Sequence, residues 1–125
     1  MCKILHVEDD PVISTFVERV LARQPGATLL SASTGAQALR VAREESPDLV
    51  LLDLRLPDMP GTAVFQRLRE DPETRRIPVV ITTGGGFPGE VQRLLAEGAA
   101  GCLEKPIDLN ALRDLVGSFS EAATE

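Results

Sequence analysis

"VLLDLRLPDMPG", residues 50–61, decides how this chain folds. An uninterrupted apolar run ends on one carboxylate, Asp53, and then breaks into a segment with two prolines and a glycine. Apolar runs without polar alternation suit the central strands of a parallel sheet, which are covered on both faces. A buried carboxylate is costly unless something pairs with it. Asp53 therefore either caps a local turn or stands at the mouth of a site, and the neighbouring segments decide which.

Upstream, "STGAQALRVAREESP" (33–47) opens with two cap candidates, Ser33 and Thr34, and spaces Ala38, Leu39, Val41 and Ala42 along a helix that stops before Pro47. Before it come a short strand, "KILHV" (3–7), and then Asp10 followed by Pro11, an N-cap with proline at the first helical position. Val12, Ile13, Phe16, Val17, Val20 and Leu21 continue at helical spacing, "QPG" (24–26) ends the helix, and "ATLLSA" (27–32) is a second strand. Downstream, a helix over 60–71 is stopped by Pro72, and "IPVVITT" (77–83) is another buried strand. A helix over 89–98, a short strand "AGCLEK" (100–105) and a last helix over 108–119 capped by Asp108 complete the chain. Strand and helix alternate five times. This pattern predicts an α/β fold: a doubly wound parallel sheet with right-handed crossovers and helices on both faces. One domain over 1–120 is expected, with 121–125 as a small, polar, flexible tail.

The 125 residues suit one domain. A net charge of −6 argues against a broad nucleic-acid surface, which needs basic residues. Cys2 and Cys102 form no disulfide or metal pattern, no run is long enough to span a membrane, and the N-terminus does not read as a signal peptide. A cytoplasmic protein is expected.

Ligands of an open parallel sheet sit beyond the carboxyl ends of its strands. Those ends carry Glu8, Asp9 and Asp10, then Asp53, then Thr82 and Thr83, then Lys105. Several acids, a hydroxyl and an ammonium thus converge on one crevice. The carboxylates cannot all stay ionised without a cation. Lys105 offsets one charge, and a hard divalent ion such as magnesium offsets two more. With a phosphoryl group added, each part has a role: Asp53 is the nucleophile, Lys105 holds one oxygen, and the Thr82 hydroxyl with neighbouring backbone N–H groups holds another. "GGG" (84–86) lacks the Lys-Ser/Thr of a nucleotide loop and reads as a mobile connection. His6 reads as a packed or partly exposed strand residue rather than a ligand, and Arg67, Arg69, Arg75 and Arg76 as a solvated face.

With "ILHVEDDP", "LVLLDLRLPDMPG", "VVITT" and "LEKPID" in this order, the sequence resembles the receiver domains of two-component response regulators, over residues 3 to about 119. The resemblance implies a flavodoxin-like, CheY-like sheet of order 2-1-3-4-5 with five helices. It implies Asp53 as phosphoacceptor and Thr82 and Lys105 as phosphoryl-binding switch residues. Glu8, Asp9, Asp53 and the main-chain carbonyl of Arg55 become magnesium ligands, and a cis bond precedes Pro106. The implied partners are a histidine kinase or histidine phosphotransfer domain and a downstream protein that reads the α4–β5–α5 face. No direct nucleic-acid or membrane partner is implied, and there is room for a phosphorylation-dependent homodimer. The protein is then a signalling phosphoacceptor, with self-catalysed phosphotransfer and dephosphorylation, rather than a turnover enzyme; an unphosphorylated interaction module is the alternative. An aspartyl phosphatase ranks last, because Arg55 stands where its second acid belongs. Three features depart from the family. Cys102 replaces the usual aromatic residue three positions before Lys105. The glycine-rich loop after Thr82, "TGGGFPG" (83–89), is about one residue longer than the family pattern. Thr83 stands where Ala or Ser is commoner.

Overall fold

The computed structural model describes residues 2–85 and 88–124, with the backbone alone for 120–124. Ten elements alternate: β1 (Cys2–Val7), α1 (Pro11–Ala22), β2 (Ala27–Ala32), α2 (Gly35–Glu45), β3 (Leu49–Asp53), α3 (Gly61–Glu70), β4 (Val79–Thr83), α4 (Pro88–Ala96), β5 (Gly101–Glu104) and α5 (Leu109–Thr124). The strands form one parallel sheet in the order β2-β1-β3-β4-β5. β3, the strand of the opening quotation, is buried at every residue, as its unbroken apolar run requires.

Side-chain alternation along the strands builds two cores. Leu5, Val7, Val50, Leu52, Val79 and Ile81 face α2 and α3, where Ala38, Val64, Phe65 and Leu68 meet them. Cys2, Ile4, Leu49, Leu51 and Val80 face α1 and α5, which contribute Val17, Leu21, Leu112 and Val116. Each fully buried Leu, Val or Ile is worth about 1.5–3 kcal/mol of transfer free energy. The sheet therefore holds its carboxyl edge as a rigid platform.

Side chains fix the helix starts. Asp10 accepts from the Val12 N–H at 2.9 Å, with Pro11 at the first position of α1. Thr34, not Ser33, caps α2, accepting from the Gln37 N–H at 3.1 Å. Asp108 accepts from the Ala111 N–H at 2.9 Å. The α2 start carries a second cap that local sequence does not announce. Asp58, from the β3–α3 loop, accepts from the Gly35 N–H at 2.7 Å and the Ala36 N–H at 2.9 Å. Those two backbone bonds hold its carboxyl below the usual range.

Two expectations change. α5 runs through Thr124, five residues beyond the Phe119 at which the sequence places its end, so 121–124 is helical backbone. Ser120–Thr124 contains Glu and Ala, good helix formers, and no Gly or Pro; small size and polarity are not a stop signal. α4 begins at Pro88 and ends at Ala96, not Gly98, because Gly98 adopts a left-handed φ of 112°. The mobile-loop reading of Gly84–Gly86 extends to Gly86, which lies outside the described residues. Among the described residues no helix is long and apolar enough to cross a membrane.

Candidate functional site

A crevice of about 410 Å³ opens at the carboxyl edge of the sheet. Its walls are Glu8, Asp9 and Asp10 after β1, Ile13 of α1, Asp53–Arg55 at the end of β3, Thr83 and Gly84 at the end of β4, and Lys105 after β5. This is the position that doubly wound topology gives to a ligand.

Lys105 is the hub. Its Nζ lies 2.6 Å from Glu8 Oε1 and 3.2 Å from Asp53 Oδ1, and only 16% of its side chain is exposed. Glu8 and Asp53 are both buried, whereas Asp9 is exposed. Glu8 Oε2 also accepts from the Asp10 N–H at 3.2 Å, and Asp53 Oδ1 from the Arg55 N–H at 3.3 Å. Burial raises the Glu8 carboxyl, and the charge of Asp53 adds to the rise; Lys105 pulls the other way without cancelling it. Burial disfavours the Lys105 ammonium, but its bond to Glu8 and the charge of Asp53 outweigh that, so its pKa is raised overall. The bond to Glu8 and the charge of Asp53 thus favour the charged ammonium, while burial works against the charged Glu8 carboxylate.

Glu8, Asp9 and Asp53 each offer a carboxylate oxygen, all within 4.8 Å of one another. Three acids against one ammonium leave an excess of negative charge. Their hard oxygens, around an open crevice with room for waters, fit a cation of the magnesium type. Arg55 lines the same crevice.

One expected residue is displaced. Thr82 is fully buried, and its hydroxyl has no hydrogen-bond partner among the described residues. The residue that reaches the crevice is Thr83. β4 runs to Thr83, where the Lys105 N–H donates to the Thr83 carbonyl at 2.7 Å. Thr83 is therefore the terminal residue of its strand, as Asp53 is of β3. A one-residue step along a strand sends the side chain to the other face, so the two threonines cannot share a role. Thr83 Oγ1 accepts from the Gly85 N–H at 3.2 Å, which leaves its own proton free to donate. The sequence did hold a signal for this assignment: the loop is one residue too long only when counted from Thr82.

Local packing also fixes Asp53 from behind. A Cβ on Gly61 would collide with the Asp53 carbonyl oxygen and come within 2.6 Å of Leu54 Cα, so only glycine lets α3 start this close to the site. The Gly61 N–H donates to the Leu54 carbonyl at 2.8 Å. The Lys105–Pro106 bond is cis. Cys102, beside Ile81 in the sheet register, is half-buried.

His6 is fully packed, at 1% exposure, and neither ring nitrogen has a partner among the described residues. Burial, with Lys105 adding to it and Asp53 opposing it, lowers its pKa from 6.5 to about 4. The fold thus holds the neutral ring. A depressed folded pKa gives stability that is present above pH 6.5 and lost as the pH falls from there toward about 4. Glu8, raised rather than lowered, contributes with the opposite sign. His6→Leu is expected to flatten the loss of the urea midpoint between about pH 7 and pH 5. An unchanged pH dependence would place the titration elsewhere.

Comparison with known proteins agrees with this geometry. The family model for the response regulator receiver domain matches residues 4–117. The polar-differentiation response regulator DivK of Brucella ovis is 30% identical over 119 residues, covering 95% of this chain and 97% of that protein. The signal receiver domain of a DNA-binding response regulator from Colwellia psychrerythraea superposes with a TM-score of 0.88 at 29% identity, covering 97% of this chain and 99% of that one. The receiver domain of the sensor histidine kinase PA1611 from Pseudomonas aeruginosa, solved with a magnesium ion coordinated in its active-site cleft, superposes at 0.84 with 29% identity, covering 96% and 98%.

Proposed function

The chain belongs to the response regulator receiver domains, and from that premise we propose that it is a phosphorylation-controlled switch whose acceptor is Asp53. The observation that carries this reading is the cluster itself: a buried carboxylate at a strand end, 3.2 Å from an ammonium and within 4.8 Å of two further acids. The donor is the phosphohistidine of a histidine kinase or phosphotransfer domain. An Asp53 Oδ attacks phosphorus, forming an O–P bond as the N–P bond to the donor imidazole breaks. The electron pair of that bond stays with the imidazole nitrogen, which leaves as the neutral ring when its other nitrogen carries a proton.

Glu8, Asp9, Asp53 and the Arg55 main-chain carbonyl would hold a magnesium ion. Bound there, it supplies neutralisation of charge on the phosphoryl oxygens. The magnesium in the cleft of the PA1611 receiver supports this assignment. Lys105 holds a phosphoryl oxygen with the ammonium that now pairs Asp53, and the Thr83 hydroxyl donates to another. The protein is a cytoplasmic acceptor rather than a turnover enzyme, since Arg55 offers no acid beside the nucleophile. Its output face is that of α4, β5 and α5. With Cys102 half-buried in β5, no ring can swing inward there, so the change is carried by the Thr83–Gly84 segment and α4.

The test is intact mass after incubation with acetyl phosphate and magnesium chloride, with and without excess chelator. One phosphoryl adduct that requires the metal is expected. No adduct in folded protein would favour an interaction module that acts unmodified. The two threonines separate cleanly in the same assay. Thr83→Ala should slow adduct formation roughly tenfold or more, the loss expected for a donor to developing charge. Thr82→Val should leave the rate nearly unchanged. The reverse pattern would return the phosphoryl contact to Thr82.

A further inference from the structure

Among α1 to α4, α4 is the least anchored. α1 and α2 each bury three residues and α3 buries four, whereas α4 buries only Leu94. A nine-residue helix has little stability of its own. Its C-terminal end, however, is fastened from a distance. The Arg69 guanidinium, from the last turn of α3, donates to the Glu97 carbonyl at 3.1 Å and to the Arg75 carbonyl at 3.4 Å. Its Cζ also lies 5.5 Å from the centroid of the buried Phe65 ring. Gly98 makes room for this: a Cβ there would collide with the guanidinium, and its φ of 112° suits glycine alone. The Ala99 N–H closes the same turn on the Leu94 carbonyl at 2.9 Å. The other end of α4 follows from Thr83 and Gly84, which line the crevice.

We propose that Arg69 is a latch that pins the C-terminal end of α4, so that α4 answers the state of Asp53 by pivoting about that end. The pivot rests on the phosphorylation reading above; the pinning does not. A planar fork that reaches two carbonyls while lying over a ring is specific to arginine, and lysine offers only a point charge. Arg69 is thus a positioning residue, remote from the reacting atoms, that sets how far the crevice can move the output face.

Hydrogen exchange by mass spectrometry, on the full chain, tests both halves. In unloaded protein, Arg69→Ala should speed exchange at residues 93–97 roughly two- to tenfold, as one lost hydrogen bond implies. Gly98→Ala both displaces the guanidinium and strains its own turn, so in combination with Arg69→Ala it should add less than its effect alone. Arg69→Lys should restore little. Exchange in β1, β3 and α5 should not change. After loading with acetyl phosphate and magnesium, wild type should change exchange at 88–92 while 93–97 stays protected, and Arg69→Ala should change along the whole helix. Unchanged protection at 93–97 in Arg69→Ala, or a loss spread evenly through α3 and the sheet, would overturn the latch. Equal change at both ends of α4 in loaded wild type would overturn the pivot. If wild type takes no adduct, the switch falls and the pivot with it, while the unloaded comparison still decides the latch.

Discussion

Asp53→Asn is expected to abolish the phosphoryl adduct and, in chelator, to make the protein more stable. The first effect is chemical. An amide oxygen lacks the anionic character of the attacking carboxylate, and Glu8, the other acid beside Lys105, is engaged by that ammonium at 2.6 Å and by the Asp10 N–H. The second effect follows from charge. Asp53 gains one attraction, to Lys105 at 3.2 Å, but its carboxylate shares a 4.8 Å cluster with those of Glu8 and Asp9. Its charge is one of the causes that raise the Glu8 carboxyl. Removing it leaves the tighter Lys105–Glu8 pair intact at 2.6 Å. The asparagine oxygen can still accept from the Arg55 N–H. A gain in stability is expected, because the like-charge repulsion that falls on the Glu8 carboxyl is removed. Magnesium should raise the melting temperature of wild type and do so much less for the variant. Thermal melts with and without magnesium check this. A destabilised Asp53→Asn in chelator would show that the lysine attraction outweighs the repulsion.

Lys105→Met should act in the opposite direction, and strongly. Methionine keeps the length of the stem but leaves Glu8 and Asp53 buried without the ammonium that pairs them. Breaking one side of a buried pair typically costs about 3–5 kcal/mol. The sign of the pH dependence is fixed by the same logic. Without Lys105 the Glu8 carboxyl, already raised by burial, rises further. A raised folded pKa means that the folded state takes up protons more readily than the unfolded chain. Relative to wild type, the variant should therefore lose stability as the pH rises from the ordinary carboxylate range through the raised folded pKa of Glu8, and regain it on acidification. Magnesium should recover part of the loss at neutral pH, because it can supply the missing positive charge. Urea midpoints at about pH 5 and pH 7.5, each with magnesium or chelator, measure all three effects. A Lys105→Met protein as stable as wild type in chelator at neutral pH would mean that the carboxylates are not ionised together.

The architecture was legible because its signals are local and redundant. Asp10–Pro11 marks a helix start, the unbroken run before Asp53 marks a covered strand, and glycines and prolines punctuate the turns between. The convergence of Glu8, Asp9, Asp53 and Lys105 followed from topology, since strand ends in a parallel sheet share one edge. What escaped depends on phase or on distance. Thr82 and Thr83 are the same residue type on opposite faces of one strand, so only the strand's end point tells them apart. The end of α5 escaped because a polar segment of good helix formers carries no stop. The bonds of Asp58 to Gly35 and Ala36, and of Arg69 to Glu97, join residues 22 to 28 positions apart. Nothing in the intervening sequence announces such pairs; packing of the finished sheet brings them together.

The most direct measurement of the central claim is the position of the phosphoryl group. An acyl phosphate is reduced by borohydride to the alcohol, so an aspartyl phosphate becomes homoserine. Protein loaded with acetyl phosphate and magnesium, reduced, digested and sequenced by tandem mass spectrometry should carry homoserine at position 53 and nowhere else. Reduction at Glu8 or Asp9, or a phosphoryl group retained on a histidine or hydroxyl residue, would contradict the account.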